Sequence, residues 1–501
     1  MSTDQSMPRT ISVRDLRSAI DFLSDSPKHL YKTSEPVDPY LELAGVYRVA
    51  GAGTPAPPPT QIGPAMLFEN VRGYPETRIL VGMFSSRERT ALLLGTTVDR
   101  LPFRLMEAVE QPIPTVLVSG KTAPCQEVIH RDDADLTKLL PIPTLTAQDA
   151  GPYLTLGLVR AEDPETGQAD VTIHRMCVLG PDRLSIYFVP GRHIGEYFRK
   201  AEERGQSLPV SISIGLDPAV YVAACFEPPT TPLGFDELSI AGALRGSPVE
   251  LAPCVSVAAK AIAHAEIVIE GEILPGVRVP EDERTGAGNA MPEFPGYEGK
   301  AQASVPVIQV RAITHRKQPI LQTLVSPGSE HVNLVGIPTE ASIFRLVEDS
   351  MPGRLLNVYA HPAGGGKYVA VLRFRKAAPS DEGRQRQAAL TAFAVFPELK
   401  HVILVDEDVN IFDSNDVMWA MTTRYQGDAS TVFIPGVRCH PLDPSESPDF
   451  SPSIHADGIS CKTIFDCTVP YAMKNRFVRA PFAEVDVRRF FPDGVVPGPA
   501  L

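Results

Sequence analysis

Three short segments carry side chains suited to gripping a hard cation: Asp170-Val-Thr-Ile-His-Arg175, Pro-Gly-Arg192-His193-Ile and Gly-Phe-Asp236-Glu237-Leu. A carboxylate, an imidazole and a second carboxylate form a ligand set for a divalent ion such as Mn2+ or Mg2+, which can in turn hold a phosphate. The three groups lie far apart in the chain, and scattered Asp, His and Glu on surface loops are the commoner explanation of such a trio. Two further motifs invite chemistry. Asp406, Glu407 and Asp408 follow an apolar strand and look like the D-x-D metal motif of sugar-nucleotide transferases. His361-Pro-Ala-Gly-Gly-Gly-Lys367 has glycines and a lysine but lacks the G-x-x-x-x-G-K-(S/T) spacing of a phosphate loop, so a hairpin turn is expected there.

The elements that must position these groups are legible from periodicity. Ser12 and Asp15 have capping-box spacing, and Leu16, Ile20 and Leu23 recur on one helical face, which predicts an opening amphipathic helix. A Gly/Pro-rich loop runs from Gly51 to Pro64, and the pattern from Met66 to about Thr97 reads strand, turn and helix. Between Cys125 and Arg316 short β-like runs, Ile212 to Pro218 and Glu266 to Leu274 among them, alternate with helices such as Arg192 to Gly205. That mixture predicts a β-barrel-like or sandwich domain with helical excursions. After Gln318 the pattern predicts a parallel α/β domain: a helix from Thr339 after Pro338, another over QAALTAFAVF, and a buried strand from His401. Trp419, at helical spacing in DVMWAM, is expected in the core.

Bulk properties bound the function. A chain of 501 residues has room for two to four domains, and 43% apolar with 21% charged residues is an ordinary globular balance. A net charge of -13 argues against nucleic-acid partners, which require a basic face. The polar start MSTDQSMPRT lacks a secretory layout and no apolar run is long enough to span a bilayer, so a cytoplasmic address is expected. Seven cysteines without a C-x-x-C pair predict reduced, mostly buried thiols.

In order and spacing the three candidate ligand segments resemble the UbiD family of decarboxylases. The resemblance continues through Leu216-Asp-Pro-Ala219, Glu266-Ile-Val-Ile-Glu-Gly-Glu-Ile, Pro292-Glu293-Phe-Pro-Gly-Tyr297, and Val405-DEDVNIFDSNDVMWAMTT-Arg424 to Ser460-Cys-Lys462. It implies an α+β protein: an N-terminal α/β segment (1–124), a central flavin-binding split β-barrel (125–318) and a C-terminal α/β dimerisation domain (319–501). It also implies a prenylated FMN whose phosphate is bridged by a divalent metal, Mn2+ or Mg2+, with K+ nearby. Asp170, His193 and Glu237 become the metal ligands, and Ile173, His174, Arg175, Arg192 and Lys462 join them around the cofactor, Lys462 approaching its phosphate. Glu293 becomes the catalytic acid beside Arg175, and His331 a substrate contact. The acidic run from Asp406 is structural in this family. Homodimers, in some members hexamers, and a flavin prenyltransferase as cofactor supplier complete the expectation.

Two departures stand out. The first ligand, usually Asn in the family, is Asp170, which adds negative charge and should tighten a hard ion. The family's second glutamate, five residues before the catalytic acid, is replaced by Gly288, leaving Glu283 or Asp282 as substitutes from a neighbouring turn. The implied activity is non-oxidative, reversible decarboxylation of an aromatic or heteroaromatic acid, of hydroxybenzoate, pyrrole, furan, indole or phenazine type. Removing carbon dioxide leaves an electron pair that no ordinary side chain accepts, so an electron-sink cofactor is required. The alternatives are an FMN-dependent oxidoreductase of flavin reductase type on the same split barrel, and an inactive assembly subunit.

Overall fold

The computed structural model describes residues 13–54, 58–189, 191–483 and 485. They form two compact units. The first comprises the described residues to Ser342 with Ala360–Tyr368 and His440–Ser445; the second comprises Ile343–Tyr359, Val369–Cys439 and the described residues from Glu446 onward.

The first unit opens with the helix Leu16–Leu23, whose Leu16, Ala19, Ile20 and Leu23 are buried. Its cap lies one turn later than the spacing suggested. Asp15 accepts from Ser18 N–H and the Ser18 hydroxyl closes the box, whereas Ser12 lies outside the described residues. Three N-terminal strands, Leu30–Thr33, Ala65–Phe68 and Arg78–Val81, are completed by Ile320–Thr323, which pairs in parallel with Arg78–Val81. The chain thus returns to its first sheet immediately after the central one.

The central sheet has nine strands among the described residues and its pairings are antiparallel, the pattern expected of short β runs joined by turns. Its spine is the pair Ile267–Val279 and Val305–His315, flanked by Leu208–Ile214 and then Leu158–Glu162 and Ala169–Ile173. The helix His193–Glu203 lays Ile194, Tyr197, Phe198 and Ala201 on this sheet, in one apolar cluster with Val210 and Ile212. Both faces of these strands are covered, Leu158 and Val268 lying in one apolar cluster and Val159, Ile267 and Ile269 in another, and the antiparallel sheet agrees with the split barrel anticipated.

The second unit carries a five-stranded sheet in the order Leu355–Ala360, Val369–Phe374, His401–Val405, Ile459–Cys467, Thr431–Arg438. Its inner pairs are parallel and its last strand is antiparallel. The apolar run from His401 is the buried central strand, as read. Two expectations need correction. The helix does not begin after Pro338: Ser329–Ser350 is continuous and contains that proline. Thr339 Oγ1 donates to the Val335 carbonyl and Ser342 Oγ to that of Pro338. Trp419 is not core but 36% exposed, held between the guanidinium groups of Arg424 and Arg479 at 4.9 and 4.0 Å. All seven cysteines are free thiols, four of them buried. Among the described residues no helix is long and apolar enough to cross a membrane.

Candidate active site

Asp170, His193 and Glu237 converge. Each offers a ligand atom within 4.8 Å of the other two. Asp170 sits on the strand Ala169–Ile173, while His193 and Glu237 each open a helix, His193–Glu203 and Glu237–Arg245. The second helix begins there because Asp236 caps it, accepting from Leu238 N–H at 3.0 Å. Two helix N-termini therefore add partial positive charge to a cluster that favours an anion once a cation is present. The His193 Nδ1 to Asp170 Oδ1 separation is 2.9 Å, and Thr172 Oγ1 donates to Asp170 Oδ2 at 3.0 Å. Glu237 is buried, and its Oε2 has no hydrogen-bond partner among the described residues. Burial, then the Asp170 charge, pushes its carboxyl well above the usual range. Two adjacent carboxylates, one of them with an orphaned buried oxygen, and an imidazole form a donor set that fits a hard divalent ion.

Beside this cluster lies an open-mouthed cavity of about 180 Å³. Ile173, His174, Arg175, Arg192, Glu293 and His331 all line it. Arg175 is its most constrained group. Nε and Nη2 donate to Glu281 Oε1 and Oε2, both at 2.8 Å, and Nη1 donates to Glu293 Oε1 at 2.5 Å. Its guanidinium also stacks on Tyr187, 4.7 Å from the ring centre. Burial opposes its charge, but the Glu293 and Glu281 carboxylates more than compensate and its pKa rises. Glu293 follows the strand Asn289–Pro292, and its N–H donates to the Tyr297 carbonyl at 2.9 Å. Burial raises its pKa; the neighbouring Arg175 only partly offsets this.

The second carboxylate is supplied by neither expected substitute. Glu283 pairs with Arg183 at 3.5 Å, and Asp282 accepts from Gly288 N–H at 2.8 Å. Glu281 takes the position, 1% exposed and fixed further by Tyr153 OH at 3.1 Å and Gln302 N–H at 3.0 Å. Gly288 has φ +74, a conformation that strains a glutamate. Spacing from Glu293 hid Glu281, although its place directly after the Val279-Pro280 strand end was a signal that the Glu-Asp-Glu run points one carboxylate inward.

Lys367 and His440 were also missed as cavity residues. Lys367 ends the glycine loop read as a bare hairpin turn. Gly366 is packed so tightly on the Val332 carbonyl that an added Cβ would lie 2.5 Å from it, and Gly365 is packed likewise on the Phe294 ring. This packing delivers Lys367 Nζ to 5.9 Å from the Phe294 centroid. His331 and His440 meet the same ring edge-on at 5.5 and 5.0 Å. Burial, then the Lys367 charge, depresses both imidazoles, His331 to about 3, so both are neutral. Lys462 belongs to the second unit, where its amine donates to the Pro397 carbonyl at 2.6 Å and to that of Leu399.

Comparison with known proteins covers nearly the whole chain. Residues 23–109, 116–329 and 332–467 match the N-terminal, Rift-related and C-terminal domains of 3-octaprenyl-4-hydroxybenzoate carboxy-lyase, the UbiD domains. Gallate decarboxylase of Lactiplantibacillus plantarum is 48% identical over 94% of this chain and 97% of its own. The apo structure of the 3,4-dihydroxybenzoic acid decarboxylase from Enterobacter cloacae is 59% identical and superposes with a TM-score of 0.92 over 96% of this chain and 99% of its own. An evolved dimeric form of the UbiD-class enzyme HmfF from Pelotomaculum thermopropionicum, in complex with prFMN, is 36% identical with a TM-score of 0.81 over 95% and 100%.

Proposed function

The chain belongs to the UbiD family of carboxy-lyases, and from that premise we propose that it decarboxylates a hydroxylated benzoic acid over a prenylated FMN bridged to the protein by Mn2+ or Mg2+. One observation carries the reading: a buried Arg175 clasped by Glu281 and Glu293 beside the convergent Asp170, His193 and Glu237. Full-length identity to aromatic acid decarboxylases disfavours the flavin reductase alternative. A cytoplasmic homodimer loaded by a flavin prenyltransferase, with K+ near the phosphate, completes the proposal, and the dimeric relative supports the assembly.

When bound, the prenylated flavin supplies the electron sink that cleavage of the carbon–carbon bond needs. The chain's own residues do the rest. Asp170, His193 and Glu237 would hold the divalent ion and, through it, the phosphate of the cofactor. Glu281 holds Arg175 in one orientation, which leaves one Nη1 N–H to steer the substrate carboxylate. As carbon dioxide departs, the protonated Glu293 delivers its proton to the vacated ring carbon and recovers one from solvent. At the Phe294 side, Lys367 and the neutral His331 and His440 suit ring hydroxyls: the ammonium favours a phenolate and the imidazoles exchange hydrogen bonds. The substrates named for the gallate and 3,4-dihydroxybenzoic acid decarboxylases support this choice.

Loaded protein should release carbon dioxide from 3,4-dihydroxybenzoate and gallate, more slowly from 4-hydroxybenzoate and least from benzoate, and chelation of the divalent ion should release its flavin. Loaded protein that turns over no aromatic acid would overturn the reading; equal turnover of benzoate would overturn the hydroxyl contacts alone.

The acid assignment predicts a pH effect. Glu293 acts protonated, so turnover declines as pH rises through its pKa, which burial raises first and the Glu281 charge raises further. Glu281→Gln removes that charge, lowers the Glu293 pKa and moves the alkaline limb of the kcat profile to lower pH. A limb that stays in place would mean another group titrates.

A further inference from the structure

Two imidazoles outside the cavity lining face each other across neighbouring strands. The short strand Val128–His130 pairs antiparallel with Val305–His315, in a register that sets His130 opposite Ile313 and Val128 opposite His315. His130 and His315 are therefore diagonal neighbours on one face, a spacing that long side chains bridge. Their rings are nearly parallel, with 18° between planes and 5.3 Å between centres, and Nε2 of one lies 3.2 Å from Nε2 of the other.

Each ring is oriented by its other nitrogen. His130 Nδ1 lies 2.8 Å from Asp133 Oδ2, and His315 Nδ1 lies 2.8 Å from the Arg316 carbonyl. The His130 bond holds the Asp133 carboxyl below its usual range, so it is ionised. A carboxylate and a carbonyl only accept, so both Nδ1 atoms carry the hydrogen. Burial depresses the His315 imidazole, which is neutral at pH 7 and presents a bare Nε2 lone pair. In the matching neutral form of His130 a second lone pair points at the first. Two bare lone pairs repel, and a cation placed between them turns that repulsion into coordination.

The separation suits a metal ion. Zinc–nitrogen bonds of about 2.0–2.1 Å at a tetrahedral angle span nitrogens about 3.3–3.4 Å apart, close to the separation found. A carboxylate behind one imidazole and a carbonyl behind the other are the outer-shell supports that ligating histidines generally have. The neighbouring cations are engaged elsewhere: Arg316 pairs with Asp15 and Glu266, and Arg131 donates to the Val255 carbonyl. The His130 side chain is 19% exposed, so water can complete the coordination.

We propose that His130 and His315 hold a transition-metal dication of the Zn2+ class through their Nε2 atoms, pinning the short strand Val128–His130 to the central sheet. Imidazole nitrogens select that class, whereas the oxygen-rich trio Asp170, His193 and Glu237 suits the harder Mn2+ or Mg2+. The site does not depend on the decarboxylase reading.

The test is titration with Cu2+, the tightest-binding ion of the class, read by electron paramagnetic resonance on protein loaded with prenylated FMN and Mg2+, whose diamagnetism leaves the copper signal clear. The parent should give a two-nitrogen superhyperfine pattern, which the trio with its one imidazole cannot give. His315→Gln should remove the pattern and weaken binding by more than the roughly tenfold expected of Asp133→Asn, which takes away only the support behind His130. Thermal unfolding verifies folding, and His130→Gln replaces His315→Gln if that variant does not fold. Zn2+ should displace the copper when in excess and slow hydrogen exchange at Val128–His130 in the parent but not in the variant. Absence of the pattern from the parent, or its persistence in the variant, would overturn the site. Binding with unchanged exchange would overturn the clamp on the strand. A strongly deshielded imidazole N–H resonance that neither ion displaces would make a proton the occupant, and the proposal falls.

Discussion

Glu293→Gln, in protein loaded with prenylated FMN and metal, is expected to lower decarboxylation turnover by about 10²- to 10⁴-fold, the usual worth of a positioned general acid. The amide still fills the space and can still accept from Arg175 Nη1, so the guanidinium keeps its two bonds to Glu281 and the fold is preserved. What is lost is the transferable proton. Substrate binding, which depends on Arg175 and the Phe294 side of the cavity, should change little, so the defect falls on kcat and KM moves modestly. Turnover by carbon dioxide release, together with exchange of the ring proton in deuterated solvent, checks both halves. Retention of full exchange would remove Glu293 as the donor whatever happened to turnover.

Which parts of this site a single sequence discloses follows from how each side chain is delivered. Asp170, His193 and Glu237 are readable because each stands at a punctuated place: a β alternation, a Pro-Gly pair in the sequence before an amphipathic helix, an Asp N-cap. Their types and order survive although their distances do not show. Glu281 is not readable in this way, since three consecutive residues, Glu281, Asp282 and Glu283, are chemically alike and only the bend after Pro280 decides which turns inward. Lys367 and His440 come from loops that rejoin the first unit after long excursions, and chain position carries no trace of that return. Local rules failed where tertiary context overrode them: Pro338 sits inside a continuous helix, and Trp419 stays half-open between two guanidinium groups. The strands and most helices, whose apolar periods are long, needed no such override.

Arg175→Met should be the most damaging single change to the fold around the cavity, and the loss should depend on pH. The substitution keeps an unbranched apolar stem but strips the partner from Glu281, whose side chain is 1% exposed, and from Glu293, at 10%. Breaking a buried pair on one side costs about 3–5 kcal/mol, because an uncompensated charge is left behind. The sign follows from Glu293. Its folded pKa already lies above the ordinary value through burial, and Arg175 holds it down in part. Without the guanidinium it rises further, so the stabilising contribution is present below the unfolded carboxyl pKa and lost as pH climbs through the higher folded one. Denaturant unfolding should therefore show a deficit that is large at pH 8 and shrinks toward pH 5. Adding Glu281→Gln removes one stranded charge and should recover part of the loss at pH 8. A deficit that is independent of pH and unmoved by Glu281→Gln would place the cost in the lost stacking on Tyr187 instead, and the carboxylate pair would then be a passenger on Arg175 and not its reason for being there.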